Sequence, residues 1–314
     1  MNDKLSRRDF LKKSTTAGIA AAGVVSGLSF SDKIFFPNWL RAEDKKVKPI
    51  LAVAKDGEPA KMVRSVVDKL GGMKKFVSKG DIVVVKPNMA WDRSPEQAAN
   101  TNPDVVAEVI KMCLEAGAKE VKVFDKTCDA QERTYNTSKI KDAAEKAGAK
   151  VKFTNPQGFV ETKIPLGVKI KKWDFYREII EADCVINVPI AKTHGIAKMT
   201  CVIKNWMGVM GGNRGDIHQD IHQKLADALT VLKAKLNIVD AYRILTANGP
   251  QGGNLSDVAL KKVIYASTDP VACDAYAAGF FNSFKLADVA YIANANEMGL
   301  GEMDLTKLDV KEIK

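Results

Sequence analysis

From Lys48 onward, short runs of β-branched and apolar residues alternate with longer stretches in which apolar positions recur every three or four residues. That rhythm predicts strands interleaved with helices, an α/β architecture on a mostly parallel, doubly wound sheet. Ile50 to Ala54 predicts a first strand and Ala60 to Leu70 a helix. Asp81 to Lys86 is a near-continuous apolar run, the pattern of a strand covered on both faces. Asn102 and Pro103 open a helix through Ala116 that Gly117 stops, and Val121 to Phe124 is the next strand. A second unit of the same kind follows, with a helix at Lys139 to Ala147 and a strand at Val151 to Phe153.

Between Phe159 and Trp173 the pattern changes, and Val160 to Lys172 reads as an antiparallel hairpin turned at Pro165 to Gly167. This predicts a β-hairpin excursion or small subdomain, an insertion near residues 155–175 of a domain spanning 46–314. The α/β pattern then resumes. A helix is predicted at Asp174 to Ala182, a strand at Cys184 to Pro189 and a long helix from Gln219 to Lys235. Strands at Asn237 to Asp240 and Lys262 to Ala266 follow, then helices at Pro270 to Phe281 and Leu286 to Met298.

The first 45 residues follow a different logic. Ser6-Arg7-Arg8-Asp9-Phe10-Leu11-Lys12-Lys13 precedes a mildly apolar run, Ala17 to Phe30, that is short for a membrane span. The order of paired arginine, Phe, Leu, Lys and apolar region resembles a twin-arginine export signal. The resemblance implies recognition by the twin-arginine translocation machinery, folding before export, and a periplasmic or other extracytoplasmic location. An uncleaved signal acting as an anchor stays open, because no tidy small-x-small cleavage site stands out.

Composition narrows the class. In 314 residues, 46% are hydrophobic and 27% charged, which argues against disorder and polytopic membrane folds. The 48 basic and 38 acidic residues give a net charge of +10, a balance whose default reading is solvated surface and whose other reading is attraction of an anionic substrate or membrane headgroups, while no motif points to nucleic acid. The five cysteines never occur as C-x-x-C, so no iron–sulfur or zinc-ribbon motif is present, and each reads as a small buried hydrophobe.

Candidate chemistry concentrates in one region. All three histidines, His194, His218 and His222, fall within 29 residues. His218 and His222 are four apart, the spacing that sets two rings on one helix face, and His194 follows a strand at the carboxyl edge of the sheet. Three readings stand side by side: a divalent-metal site, direct acid–base or substrate roles, and solvent-facing side chains without a role. Asp216 and Asp220 are available as oxygen ligands or orienting groups. Lys192, Lys204 and Arg214 surround the glycine-rich Gly211 to Gly215, a composition suited to holding a carboxylate or phosphate. Lys86, Asn88, Asp125 and Asp240 all fall at strand ends that would face the same crevice.

Several of these residues form a pattern. Val85-Lys86-Pro87-Asn88, Lys192-Thr193-His194 with Thr200, Lys204-Asn205 and Gly208, then His222, Asp240, Gly249-Pro250, Gly252, and Ser267-Thr268-Asp269-Pro270 with Asp274 resemble the DUF362 family of uncharacterised proteins. The resemblance spans about residues 80–280 and implies an α/β fold and a site location but no reaction. Members often carry a ferredoxin module, which this sequence lacks.

The resulting expectation is an exported enzyme acting on a small anionic substrate by metal-assisted or redox chemistry. Its catalytic set is His194, His222, Lys204, Asn205, Lys86 and Asp240. His194 serves as general base or metal ligand, Lys204 and Asn205 stabilise an anion, and Asp240 orients. Asn88, Lys192, Thr200, Gly208 and Arg214 bind substrate, and His194, His218 and His222 would hold a metal. The alternative is a cofactor- or metal-binding accessory protein exported with a redox partner.

Overall fold

A computed structural model describes residues 48–313. Residues 1–47, on which the expected twin-arginine signal falls, lie outside the described residues. The strands are β1 (Ile50–Lys55), β2 (Ile82–Pro87), β3 (Glu120–Val123), β4 (Lys150–Val151), β5 (Phe159–Lys163), β6 (Lys172–Tyr176), β7 (Cys184–Val188), β8 (Ile190–His194), β9 (Lys198–Thr200), β10 (Leu236–Leu245), β11 (Val258–Ser267) and β12 (Asp309–Ile313). The helices are α1 (Pro59–Lys69), α2 (Pro103–Glu115), α3 (Gln131–Thr137), α4 (Ile140–Lys146), α5 (Arg177–Glu181), α6 (Val202–Asn205), α7 (Arg214–His218), α8 (Ile221–Leu229), α9 (Pro270–Ala278) and α10 (Ala290–Glu297).

The main sheet runs β12-β1-β11-β10-β7-β2-β3-β4. The neighbours from β10 to β4 are parallel, and β11 is antiparallel to both β10 and β1. Alternation along the strands feeds two cores. Leu51, Val53 and Val84 join one apolar cluster, while Ala52, Ala54, Val83 and Val85 join the other. Burial on both faces is why β2 is apolar at nearly every position. The sheet is thus α/β, mostly parallel, with helices on both sides, and a separate antiparallel hairpin, β5–β6, stands beside it.

Local differences from expectation have physical causes. The helix predicted at Asp174 to Ala182 is halved, because Lys172–Tyr176 pairs with Phe159–Lys163 and leaves a helix only at Arg177–Glu181. The helix predicted at Gln219 to Lys235 starts at Ile221, after Asp220 with its left-handed φ of +58°, and ends at Leu229, while His218 lies on the separate short helix α7. Strands β8, β9 and β12 were not anticipated. Asp269 caps α9 by accepting from the backbone N–H groups of Val271 and Ala272.

The topology gathers carboxyl ends. Strands β3, β2 and β7 are adjacent and parallel, so the chain leaves all three on one edge. Strand β8 starts two residues past β7, pairs in parallel with β10 and returns through β9, which delivers the chain directly into α6. Asp274 of α9 holds the start of α6, accepting from Val202 N–H at 2.6 Å and Ile203 N–H at 3.0 Å.

Candidate active site

At that edge lies a cavity of about 460 Å³. Asn88 and Asp125 reach it from the ends of β2 and β3, Lys192 and His194 from β8, Thr200 from β9, Lys204 and Asn205 from α6, and Arg214 and His218 from α7. Gly208 and Gly249 complete the wall, together with Trp91, Cys128 and Met207.

Under the cavity runs a hydrogen-bonded chain of buried polar groups. Lys86, fully buried, donates to Asp125 at 2.9 Å, to the Pro87 carbonyl at 2.7 Å and to Asn205 Oδ1 at 3.1 Å. Asp125 also accepts from Met89 N–H at 2.6 Å. Asn88 donates to Asn205 Oδ1 at 3.0 Å and accepts from Lys192 at 3.0 Å, and Lys192 donates further to the Ala99 carbonyl. Asn205 spends its amide on Asn187 Oδ1 and the Lys86 carbonyl. Gly208 packs directly on this floor: a Cβ there would collide with the Asp125 carboxylate and the Lys86 ammonium, so the backbone approach needs glycine.

The cations of the floor differ in their partners. Lys86 has a carboxylate, and Lys192 has two neutral oxygens. Lys204, 8% exposed, has among the described residues only the Met207 thioether sulfur, 3.4 Å from its Nζ. Burial pulls the Lys204 amine down to about 8 and the Lys192 amine to about 7. Thr200 adds a buried hydroxyl with no hydrogen-bond partner.

The two histidines of the cavity are held in opposite tautomers. His194 Nδ1 accepts from the backbone N–H groups of Ile196 at 3.2 Å and Ala197 at 3.1 Å, so its proton sits on Nε2 and the ring offers a donor. Burial, the nearby lysine charges and His218 push this imidazole down to about 2, so it stays neutral. His218 Nδ1 lies 2.9 Å from the Arg214 carbonyl, which can only accept, so Nδ1 carries a hydrogen and the neutral ring has its lone pair on Nε2. The two rings are nearly parallel, with centroids 6.2 Å apart.

Residues 83–279 match the family described as a domain of unknown function, DUF362. The chain belongs to the DUF362 family. Over 222 residues it is 28% identical to the thylakoid-associated protein sll1697 of Synechocystis sp., a match covering 68% of this chain and 66% of that protein. Among solved structures, the lactate racemase apoprotein from Thermoanaerobacterium thermosaccharolyticum is similar with a TM-score of 0.47 and 12% identity, covering 79% of this chain and 58% of that one. A Thermotoga maritima protein matches with a TM-score of 0.44 and 11% identity over 82% of this chain and 62% of that one. The DUF362 chain thus spans less than two thirds of the length of each of these three proteins.

Within this DUF362 cavity several expected roles change. His222 is absent from the wall: the left-handed Asp220 turns α8 away, and the His222 ring lies 6.3 Å from that of Tyr291. His194, His218 and His222 therefore do not share a metal-ligand set, and the described residues contain no cluster of three or more His, Cys, Asp or Glu able to hold an ion. The donor chemistry agrees, since His194 Nδ1 is engaged by the backbone and its Nε2 carries the proton. That tautomer also makes His194 a hydrogen-bond donor rather than a general base.

Asp240 is buried away from the cavity and holds the Asn102 and Tyr242 N–H groups at 2.8 and 2.9 Å, so it orients the entry to α2, not a histidine. Lys86 lies beneath the floor, neutralising Asp125. Asn205 has its polar atoms committed to neighbours and positions the floor. Arg214 spends both Nη groups on the Lys126 and Thr127 carbonyls, at 2.8 and 2.7 Å. The glycine loop is not an open anion nest, because Gly211 N–H donates to the Asp174 carbonyl and Gly215 N–H to Asn213 Oδ1. Cys128 breaks the rule of buried cysteines, being exposed at the cavity wall.

Proposed function

We propose that the cavity binds a small anion and is the active site of an enzyme acting on an anionic substrate, with His194 as donor to a developing negative charge and His218 as proton acceptor. The observation that carries this reading is Lys204: a buried ammonium costs free energy unless an acceptor is supplied, and the described residues supply only a thioether. Lys192, without a carboxylate partner, and the unpartnered Thr200 hydroxyl point the same way.

Isothermal titration with acetate and phosphate tests it. Lys204→Met should weaken binding by about tenfold or more, the worth of one charge-assisted hydrogen bond. A control at exposed Lys61 should leave binding unchanged. Equal affinity in both variants would overturn the reading.

The same proposal places the protein outside the cytoplasm. Ser6 to Lys13 supports recognition by the twin-arginine machinery, and the thylakoid association in the relative's name is compatible with a compartment reached that way. No helix among the described residues is long and apolar enough to cross a membrane. Replacing Arg7 and Arg8 by lysine should trap the chain in the cytoplasmic fraction; unchanged export would refute that route.

A further inference from the structure

Lys192 and Lys204 at the cavity wall and Lys86 beneath it are not equivalent, and their differences suggest more than charge. Lys86 faces the Asp125 carboxylate and two neutral oxygens, while burial lowers its basicity. Lys192 is held by Asn88 Oδ1 and the Ala99 carbonyl, which want a proton between themselves and the nitrogen. Lys204 lines the same cavity with a thioether as its sole hydrogen-bonding neighbour among the described residues, so losing a proton breaks no strong bond there. An amine whose lone pair is free, facing a cavity with a fixed N–H donor, is an arrangement suited to attacking a carbonyl carbon.

We propose that Lys204 is a covalent carbonyl-capturing residue, forming an imine with a small acid that carries an aldehyde or ketone. This rests on the anion-site reading, because the acid's carboxylate needs a cationic partner: at Lys192, whose amine burial pulls down to about 7, a bound carboxylate favours the protonated form. The neutral Lys204 Nζ attacks the carbonyl carbon: a C–N bond forms while the carbonyl π pair moves to oxygen. His194 Nε2–H donates a hydrogen bond to that oxygen. One proton leaves the nitrogen, taken up by His218 Nε2 and passed to the oxygen, which gives a neutral carbinolamine. The nitrogen lone pair then expels the hydroxyl, which leaves as water with one further proton from solvent, and a protonated imine remains. Starting from the ammonium form, the balance is one carbonyl consumed and one water released, with no oxidant or reductant. The depressed basicity of Lys204 keeps a usable fraction of free amine near neutral pH.

The test uses the full chain with glyoxylate and with pyruvate, each with and without borohydride, followed by intact-mass measurement and peptide mapping. The expected result is one adduct per chain at Lys204, heavier after borohydride reduction by the mass of the acid less one oxygen atom, and faster to form than on any surface lysine by about tenfold or more. Lys204→Arg keeps the cation but not the nucleophile; it should still bind acetate while losing the adduct. Lys204→Met serves as a second variant should arginine disturb the fold. Calorimetry separates the two claims. Acetate bound by the wild-type chain with no adduct at Lys204 overturns the covalent inference and leaves the anion site standing. An adduct spread over exposed lysines, or retained in Lys204→Arg, overturns it as well. Loss of acetate binding altogether removes both.

Discussion

Replacing Lys204 by methionine should stabilise this protein near neutral pH. The side chain is 8% exposed and among the described residues pairs only with a thioether, so the folded state carries a charge that the unfolded chain would solvate. Burial lowers its basicity from 10.5 to about 8. At about 1.4 kcal/mol for each tenfold in acidity, that is a cost of about 3 kcal/mol. The sign follows from proton counts. Below about pH 8 both states are charged and the whole cost is present; between about 8 and 10.5 the folded state alone has lost its proton, so native stability rises with pH. Methionine is one atom shorter, unbranched and uncharged, and removes the cost. Urea unfolding should therefore show Lys204→Met more stable by about 3 kcal/mol at about pH 7, the advantage shrinking to about 1 kcal/mol near pH 9.5. A variant less stable than wild type at neutral pH, or a difference that does not change with pH, would refute the reasoning. A site that weakens its own fold in this way fits stability given up for binding.

Further outcomes follow from the same geometry. Asp125→Asn leaves the fully buried Lys86 without a counter-charge and should cost about 3–5 kcal/mol in urea unfolding, while Lys86→Met combined with Asp125→Leu should cost less than the single change. A single change as costly as the pair would be the contrary result. Gly208→Ala should destabilise by about 1–3 kcal/mol, because its Cβ meets the Asp125 carboxylate and the Lys86 ammonium; near-neutral behaviour would show that the floor yields. His194, held neutral by burial and two backbone donors, should show ring resonances that do not titrate between about pH 4 and 8. A protonation step in that window would contradict the Nε2–H tautomer.

Much of this was legible in the sequence, because apolar runs buried on both faces announce parallel strands. Asp81 to Lys86 and Cys184 to Pro189 lie beside each other in the sheet for that reason. Strand β8 was not legible: Lys192 and His194 are buried polar residues in a strand, and hydrophobic periodicity has no term for a buried network. The break at Asp220 was equally hidden, since any residue sequence that continues an amphipathic pattern reads as one helix until a left-handed residue interrupts it. That single dihedral separates His222 from the cavity and undoes the expected metal triad. Residue chemistry placed Lys192, His194, Lys204 and Asn88 on one rim, but roles depend on partners. Asp240, Asn205 and Arg214 look like site residues by type and are committed to neighbours in the fold. Cys128, three residues past Asp125, is at the wall with nothing in its spacing to mark it.

The most direct measurement of the central claim is the titration of Lys204 itself, followed by carbon NMR of a selectively labelled chain with and without saturating acetate. An anion that supplies the missing acceptor must stabilise the ammonium. The midpoint should rise from about 8 toward the ordinary 10.5 when acetate is bound. A midpoint already near 10.5 in the free protein, or one that acetate leaves in place, would contradict a cavity built around an unsatisfied cation.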